Sequence, residues 1–322
     1  MIIADLHCDL LAYLAEDSAR TASCPDSRCS LPQLHQGNVH FQTMAVYTET
    51  GARSVELCQK QFEIFANLPE LYPKQFTHLK ERKVLLDPET VTIAAAIENA
   101  SGLCLEEEPL DLCFSRFDQY LAHQILYISL TWNTENRFGG GNESTMGLKR
   151  DGELLLEYLS GKNIAIDLSH TSDFLAHDIL EYIDKKNLDL TPIASHSNFR
   201  AVTDQKRNLP DVLAKEIFRR GGVIGLNFVR LFIGMTHSKD FIKHMMHAKE
   251  LGGLEQYCFG ADFFYANDYS NTLNHLLPFY FPKFQDASCY PELLAFLGLS
   301  FSKEELLGVA HKNIINFFER LK

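Results

Sequence analysis

The first seventeen residues, MIIADLHCDLLAYLAED (1–17), show the pattern that decides the fold. A short apolar run leads into His7 and Asp9, and a helix-like segment follows directly. Such a run is typical of a buried strand. Because side chains alternate along a strand, His7 and Asp9 would point the same way and could reach a single ion.

The same alternation of strand and helix continues along the whole chain. Apolar or β-branched runs lie near residues 3, 43, 94, 128, 166, 193, 224 and 259, with helix-like segments between them. The last such segment opens on Ser302 with Glu305 three residues later, which is a capping-box pattern. Eight strands that are each followed by a helix predict a (β/α)8 TIM barrel. An open doubly wound sheet is the alternative, although no GxGxxG loop follows the first strand.

Length and composition favour one enzyme-sized domain over residues 1–322. The chain has 46% apolar residues, and it contains no internal repeat, low-complexity segment or linker. Its 42 acidic and 30 basic residues give a net charge of -12, and no Lys/Arg stripe is present. Nucleic acid and membranes are therefore disfavoured as partners.

The compartment is expected to be the cytoplasm. No stretch approaches the roughly 20 apolar residues of a membrane span, and the first residues lack the features of a secretory signal. Eight scattered cysteines favour reduced thiols over a disulfide framework. Cys24 and Cys29 flank the loop CPDSRC and could bind a metal, but nothing nearby in the sequence completes that site.

Polar residues stand where the predicted strands end, which in a barrel of this kind is where the chemistry lies. They are His7 and Asp9 at strand one, Glu98 at strand three, His170 at strand five, His196 at strand six and Asp262 at strand eight. Four of them have a structural alternative, since Asp9 could cap a helix, His7 could be a satisfied core histidine, and His170 and His196 could simply bond neighbouring loops.

Glu98 is the most informative of these residues. It follows an apolar run, where a carboxylate carries a desolvation cost unless a cation meets it. Nitrogen and carboxylate donors without cysteine suit zinc or a similar divalent transition ion. Five ligands exceed the need of one ion, so we expect two zinc ions bridged by Glu98 that lower the pKa of a shared water. Asp262 could then relay a proton to a leaving amine.

Seven segments of the chain resemble a known family in order and spacing. They are DLHCDLL, AAAIENA, YISLTWNTENRFGGG, AIDLSHTS, PIASHSNFRAVTDQKRNLPDVL, GGVIGLNF and FGADF. The resemblance is to the zinc-dependent membrane dipeptidase (renal dipeptidase) family within the amidohydrolase-like barrels, and it extends from the first strand to the last helix. Its most specific part places His196 and Arg207 eleven residues apart.

The resemblance implies a two-zinc (β/α)8 hydrolase that cleaves dipeptides, including those with a D-residue at the C-terminal position. It assigns His7 and Asp9 to one zinc, His170 and His196 to the other, Glu98 to the bridge, and Asp262 to acid/base catalysis. It also makes Arg207 a clamp for the free carboxylate of the substrate, which a guanidinium fork matches. From the residues alone, Arg207 would be an ordinary exposed arginine. A homodimer is expected as well.

The sequence departs from the family pattern at two places. Trp132 stands where animal members have a histidine at the end of strand four, so it is expected to influence substrate preference. Asn99 and Ala100 replace the two glycines that usually follow the bridging acid.

The alternative functions are a related zinc hydrolase of another amide, lactam or N-acyl amino acid, a catalytically silent binding protein, and a phosphoesterase. The intact ligand set disfavours the silent protein.

Overall fold

Eight parallel strands form the centre of the computed structural model, which describes residues 1–80, 87, 90–268 and 276–321. A further short strand, Phe76–His78, pairs with the beginning of the third. In chain order the eight are β1 Ile3–Cys8, β2 Val39–Tyr47, β3 Val91–Glu98, β4 Tyr127–Ser129, β5 Ala165–Asp167, β6 Pro192–Ile193, β7 Ile224–Leu226 and β8 Tyr257–Phe259.

The sheet closes on itself. Its strand order is β6, β5, β4, β3, β2, β1, β8, β7, and a parallel bridge between Ala194 and Ile224 joins the two ends. The Ala194 N–H donates to the carbonyl of Val223, and the Gly225 N–H donates back to Ala194. The predicted (β/α)8 barrel is therefore confirmed, and the doubly wound alternative is wrong because the outer strands of an open sheet would not meet.

The strands are continuous apolar runs in the sequence because protein covers both faces of the sheet. All eight residues of β3 are buried, and successive side chains enter different clusters. Ala94 and Ala96 join the cluster that contains Leu6, whereas Ile93 and Ile97 pack in the larger cluster beneath the helices. This alternation is the two-residue period of a strand.

Helices surround the barrel and close one end of it. In the described part of the chain they are Leu10–Glu16, Leu31–Gln36, Ser54–Leu71, Leu110–Tyr120, Arg150–Leu159, Asp173–Lys186, Asp211–Arg219, Arg230–Ile233, Asp240–Glu250, Tyr290–Leu297, Lys303–Leu307 and Asn313–Arg320. Phe318 of the last helix lies 5.3 Å from Phe41, near the start of β2, when measured between ring centroids. The last helix therefore covers the amino ends of the strands and leaves the carboxyl ends open.

The closing segment confirms the predicted capping box and adds an irregularity. The Ser302 hydroxyl accepts the Glu305 N–H, and the Glu305 carboxylate accepts the Ser302 N–H. One π-helical turn, Gly308–Lys312, interrupts the single helix that was predicted for this segment.

Two further features bear on the expected compartment and on the cysteines. Among the described helices, none combines the length and the apolar character that crossing a bilayer requires. All eight cysteines are free thiols. Neither Cys24 nor Cys29 belongs to a group of potential metal ligands in the described residues.

Candidate active site

The polar side chains at the strand ends meet at the open end of the barrel. Glu98 is the last residue of β3, and its carboxylate lies among three imidazoles. The Oε2 atom of Glu98 is 3.3 Å from Nε2 of His7, whereas Oε1 is 2.9 Å from Nε2 of His170 and 3.5 Å from Nε2 of His196. Glu98 therefore stands at the centre of the cluster, as a bridging ligand would.

Two more carboxylates complete the cluster on the side of His7. Its Nε2 atom lies 3.7 Å from Oδ1 of Asp9 and 3.9 Å from Oδ1 of Asp262. The donor atoms form two groups, one of His7, Glu98 and His196 and one of His7, Asp9 and Asp262, and within each group they lie within 4.8 Å of one another. The sequence predicted Asp262 as an acid/base and not as a member of a ligand group.

The structural alternatives for His7 and Asp9 are wrong. Asp9 stands at the N-cap position of the helix Leu10–Glu16, but its side chain makes no capping hydrogen bond. Nε2 of His7 and Oδ1 of Asp9 are buried polar atoms without a hydrogen-bond partner. Because burying an unpaired polar atom is costly, these atoms fit a bound cation.

The three imidazoles are all held through Nδ1. The Tyr127 hydroxyl donates to the Leu6 carbonyl, so at 2.9 Å from His7 it accepts the proton of Nδ1. Nδ1 of His170 donates to Oδ1 of Asn133 over 2.7 Å. With Nδ1 engaged in this way, Nε2 is the nitrogen of each ring that faces the cluster and could bind a metal ion.

His196 is held through a chain of two residues. The Ser195 hydroxyl donates to Oδ2 of Asp167 and accepts Nδ1–H of His196 over 2.6 Å. Asp167 is buried and also accepts the N–H groups of Ser169 and Ser195. The carboxylate thus sets the direction of the hydroxyl, and the hydroxyl sets the tautomer of the imidazole.

The pKa values of the clustered side chains indicate that this group of carboxylates favours a positive charge beside it. Burial alone would lower the pKa of His7, but Glu98, Asp9 and Asp262 raise it to about 10. Burial would raise the pKa of Glu98, yet the neighbouring imidazoles hold it well below its usual range. Burial raises the pKa of Asp9 well above its ordinary value, and Glu98 adds to this effect. A divalent cation would balance the same carboxylates.

Asp262 is oriented by residues of neighbouring strands. Nδ2 of Asn227, just beyond β7, donates to Oδ2 of Asp262 over 2.8 Å. The backbone of Asp262 is left-handed, with φ 62°, and its N–H donates to the His7 carbonyl. Burial raises the pKa of Asp262 to about 7, with His7 opposing the shift. Asn227 was not predicted, although it is the polar residue that ends the seventh strand.

A cavity of about 660 Å³ opens above the cluster, and Arg207 lines one side of it. Arg207 is only 7% exposed, so the expectation of an ordinary exposed arginine is wrong. Nη1 donates to Oγ of Ser197 and Nη2 to the His196 carbonyl, whereas Nε is buried without a partner. Across residues 1–80, 87, 90–268 and 276–321, Arg207 forms no ion pair with a carboxylate. Burial lowers its pKa.

The family follows from a comparison with known proteins. The model of the membrane dipeptidases, peptidase family M19, matches residues 1–322. The chain belongs to this family. Among curated relatives, Dipeptidase 3 of Macaca fascicularis is 24% identical over 318 residues, which are 91% of this chain and 58% of that protein. An uncharacterized dipeptidase of Schizosaccharomyces pombe is 26% identical over 225 residues, 66% of this chain and 50% of its own length. The chain thus spans about half the length of these relatives.

Two solved structures share the fold over nearly the whole chain. A metallopeptidase from Rhodobacter sphaeroides, bound to a phosphinate mimic of the dipeptide L-Ala-D-Ala, superposes with a TM-score of 0.82 at 18% identity. The match covers 100% of this chain and 99% of that one. A second structure, that of the M19 dipeptidase AC, gives a TM-score of 0.83 at 18% identity and covers 99% and 98% of the two chains.

The departures from the M19 pattern have clear places in the structure. Trp132 lines the cavity, with its ring centroid 6.0 Å from that of His170 and 5.2 Å from that of Tyr47. Asn99 has φ 78°, a conformation in which glycine is usual. Its side chain offsets the strain, because Oδ1 accepts the Ser101 N–H and Nδ2 donates to the Thr48 carbonyl.

Proposed function

We propose that this M19 member is a binuclear zinc dipeptidase acting on dipeptides with a free C-terminal carboxylate. One observation carries the proposal, namely that a single cavity has the cluster around Glu98 at its floor and Arg207 in its wall. A dipeptide needs both, because its scissile carbonyl must reach a metal centre while its carboxylate meets a cation.

The chain offers ligands for two ions. His7 and Asp9 would hold one zinc, His170 and His196 would hold the other, and Glu98 would bridge them. The unpaired Nε2 of His7 and Oδ1 of Asp9 support this assignment, as does the mixed nitrogen and oxygen donor set. When bound, zinc polarises the carbonyl and lowers the pKa of water towards ~7.

Arg207 would bind and orient the substrate. Its guanidinium has no carboxylate partner among the described residues, and its Nε atom is unpaired, so an incoming carboxylate would satisfy a buried cation. A planar fork binds a carboxylate through two parallel hydrogen bonds. This contact would hold the peptide bond above the cluster.

Asp262 would carry the proton to the leaving group. Its Oδ2 atom is held by Asn227, which leaves Oδ1 directed at the cluster. As the C–N bond breaks and a C–O bond from water forms, Asp262 would take the proton from water and pass it to the departing amine. Glu98, at the centre of the cluster, would contribute ligand atoms to both ions.

The stereochemistry of the substrate is also proposed. The Rhodobacter sphaeroides metallopeptidase binds a mimic of L-Ala-D-Ala, and this supports acceptance of a D-residue at the C-terminal position. A hydrolase of another amide, lactam or N-acyl amino acid is the second candidate. Arg207 would bind any free carboxylate, and Trp132 occupies the place where the family resemblance leads us to expect a histidine.

The test is the release of amino acids from L-Ala-L-Ala, L-Ala-D-Ala and C-terminally amidated L-Ala-L-Ala. Protein reconstituted with zinc should cleave the two free dipeptides, and a chelated control should cleave none. If protein that holds two zinc ions fails to cleave free dipeptides, the second candidate is favoured.

A homodimer, a single domain and a cytoplasmic location remain predictions. Light scattering tests the first, limited proteolysis the second and cell fractionation the third.

A further inference from the structure

One wall of the cavity is apolar. Val229, Leu231 and Phe232 reach it from the segment after β7, and Phe264 and Phe279 reach it from the segment after β8. Val229 and Phe279 are buried, whereas Leu231, Phe232 and Phe264 remain partly exposed although they line a cavity. The rings of Phe264 and Phe279 pack edge to face at 5.2 Å. Apolar surface exposed inside a cavity is typical of a site that receives an apolar group.

This wall lies beside Arg207. The guanidinium carbon of Arg207 is 5.7 Å from the ring centroid of Phe232. A carboxylate bound to Arg207 is one bond from its own α-carbon, so the side chain of that same residue starts close to Phe232. The lining on the β4 and β5 side is mixed, because Trp132 lies there together with the polar residues Asn133, Asn142 and Glu143.

We infer that the apolar wall around Phe232 selects dipeptides whose C-terminal residue has a large apolar side chain, such as leucine or phenylalanine. This inference rests on the proposed dipeptidase function and names the substrate class of that site. A leucine or phenylalanine side chain that packs against Leu231 and Phe232 removes a large apolar area from water. Glycine and alanine do not offer such an area. A preference of at least about tenfold in kcat/KM over a C-terminal glycine is expected.

The apolar wall disfavours an acidic C-terminal side chain, because its aliphatic and phenyl side chains offer a carboxylate no hydrogen-bond donor. Lys206 is exposed at the rim and is the alternative receptor for an acidic side chain. A preference for C-terminal glutamate would therefore overturn the inference.

The experiment compares steady-state kinetics of the zinc-loaded protein on L-Ala-L-Leu, L-Ala-L-Phe, L-Ala-Gly, L-Ala-L-Glu and L-Leu-L-Ala. Phe232→Ala should raise KM for L-Ala-L-Leu about tenfold or more and change KM for L-Ala-Gly little. Leu231→Ala, which leaves the ring of Phe232 in place, should also raise KM for L-Ala-L-Leu more than KM for L-Ala-Gly. The matched control is Phe174→Ala, because Phe174 is 59% exposed on the helix Asp173–Lys186 and lies outside the cavity.

The outcomes separate this inference from the proposed function. Equal kcat/KM for L-Ala-L-Leu and L-Ala-Gly, or equal losses on both in Phe232→Ala, would overturn the inference and leave dipeptidase activity in place. Preference for L-Leu-L-Ala would assign the wall to the N-terminal side chain and overturn it too. Absence of cleavage of every dipeptide would overturn the proposed function and the inference together.

Discussion

The Oε2 atom of Glu98 lies 3.3 Å from Nε2 of His7, although the two residues belong to strands that are not neighbours. β2 separates β1 from β3, so the contact crosses the open end of the barrel. A histidine and a glutamate distant in sequence thereby share one cluster with His170 and His196. Substitutions can test this arrangement through the metal content, the catalytic rate and the stability of the protein.

If Glu98 bridges two zinc ions as proposed, replacing it by glutamine should lower the zinc content below two ions per chain and reduce kcat by at least about 100-fold, because a neutral amide is a poor bridge between two cations. Metal analysis after gel filtration measures the zinc content, and turnover of L-Ala-L-Ala measures kcat. Glu181→Gln, on an exposed helix face, is the matched control. Two retained ions and full turnover in Glu98→Gln would show that Glu98 is not the bridge.

Replacing Arg207 by alanine should raise KM for free dipeptides by about 10- to 100-fold, since charge-assisted hydrogen bonds to the carboxylate are lost. Arg207→Lys should restore only part of the affinity, because an ammonium lacks the planar fork. C-terminally amidated peptides should stay poor substrates throughout. The exposed Arg219→Ala serves as control. Equal losses on free and amidated peptides, with a lowered thermal midpoint, would point to a structural arginine.

Replacing Ser195 by alanine should weaken zinc binding by about 10- to 100-fold, because Nδ1 of His196 loses the acceptor that sets its tautomer. Competition with a chromophoric chelator measures the affinity without relying on turnover. Ser195→Thr keeps the hydroxyl and should recover most of the zinc affinity. Unchanged zinc affinity in Ser195→Ala would show that Asp167 and Ser195 do not act through His196.

His244 should make the fold sensitive to acid. Nδ1 accepts the Phe199 N–H and Nε2 donates to the Ile233 carbonyl. Burial lowers the pKa of His244 to about 4, with Asp240 opposing this shift and His247 and Lys243 adding to it. The unfolded chain takes up the proton near its ordinary pKa of ~6.5, so stability is complete above that pH and falls by up to about 3 kcal/mol towards pH 4.

Urea unfolding of the wild type and His244→Gln at several pH values between 4 and 7.5 tests this expectation. The difference in free energy of unfolding between the two proteins should shrink as the pH falls, because only the wild type carries the penalty for protonating His244. His35→Gln, at an exposed position, controls for the loss of one histidine. A difference that does not change with pH would exclude this role.

Much of the fold was predictable because its signals are local. The eight strands, the capping box at Ser302 and the polar residues at the strand ends are all readable from periodicity over a few residues. The barrel rule then places the strand ends together, which predicts that His7, Glu98 and Asp262 meet. The same rule would have found Asn227, had the polar end of the seventh strand been included.

The sequence by itself therefore determined the order of strands and helices and the chemical identity of the donors at the open end. Only the tertiary structure decided which atoms face the cluster. The Tyr127 hydroxyl that holds His7 lies 120 residues away in the chain, and the wall around Phe232 joins segments from two different strands. The physical reason is that barrel closure, and not local propensity, brings these groups within a few ångströms, so no pattern along the chain records their contacts.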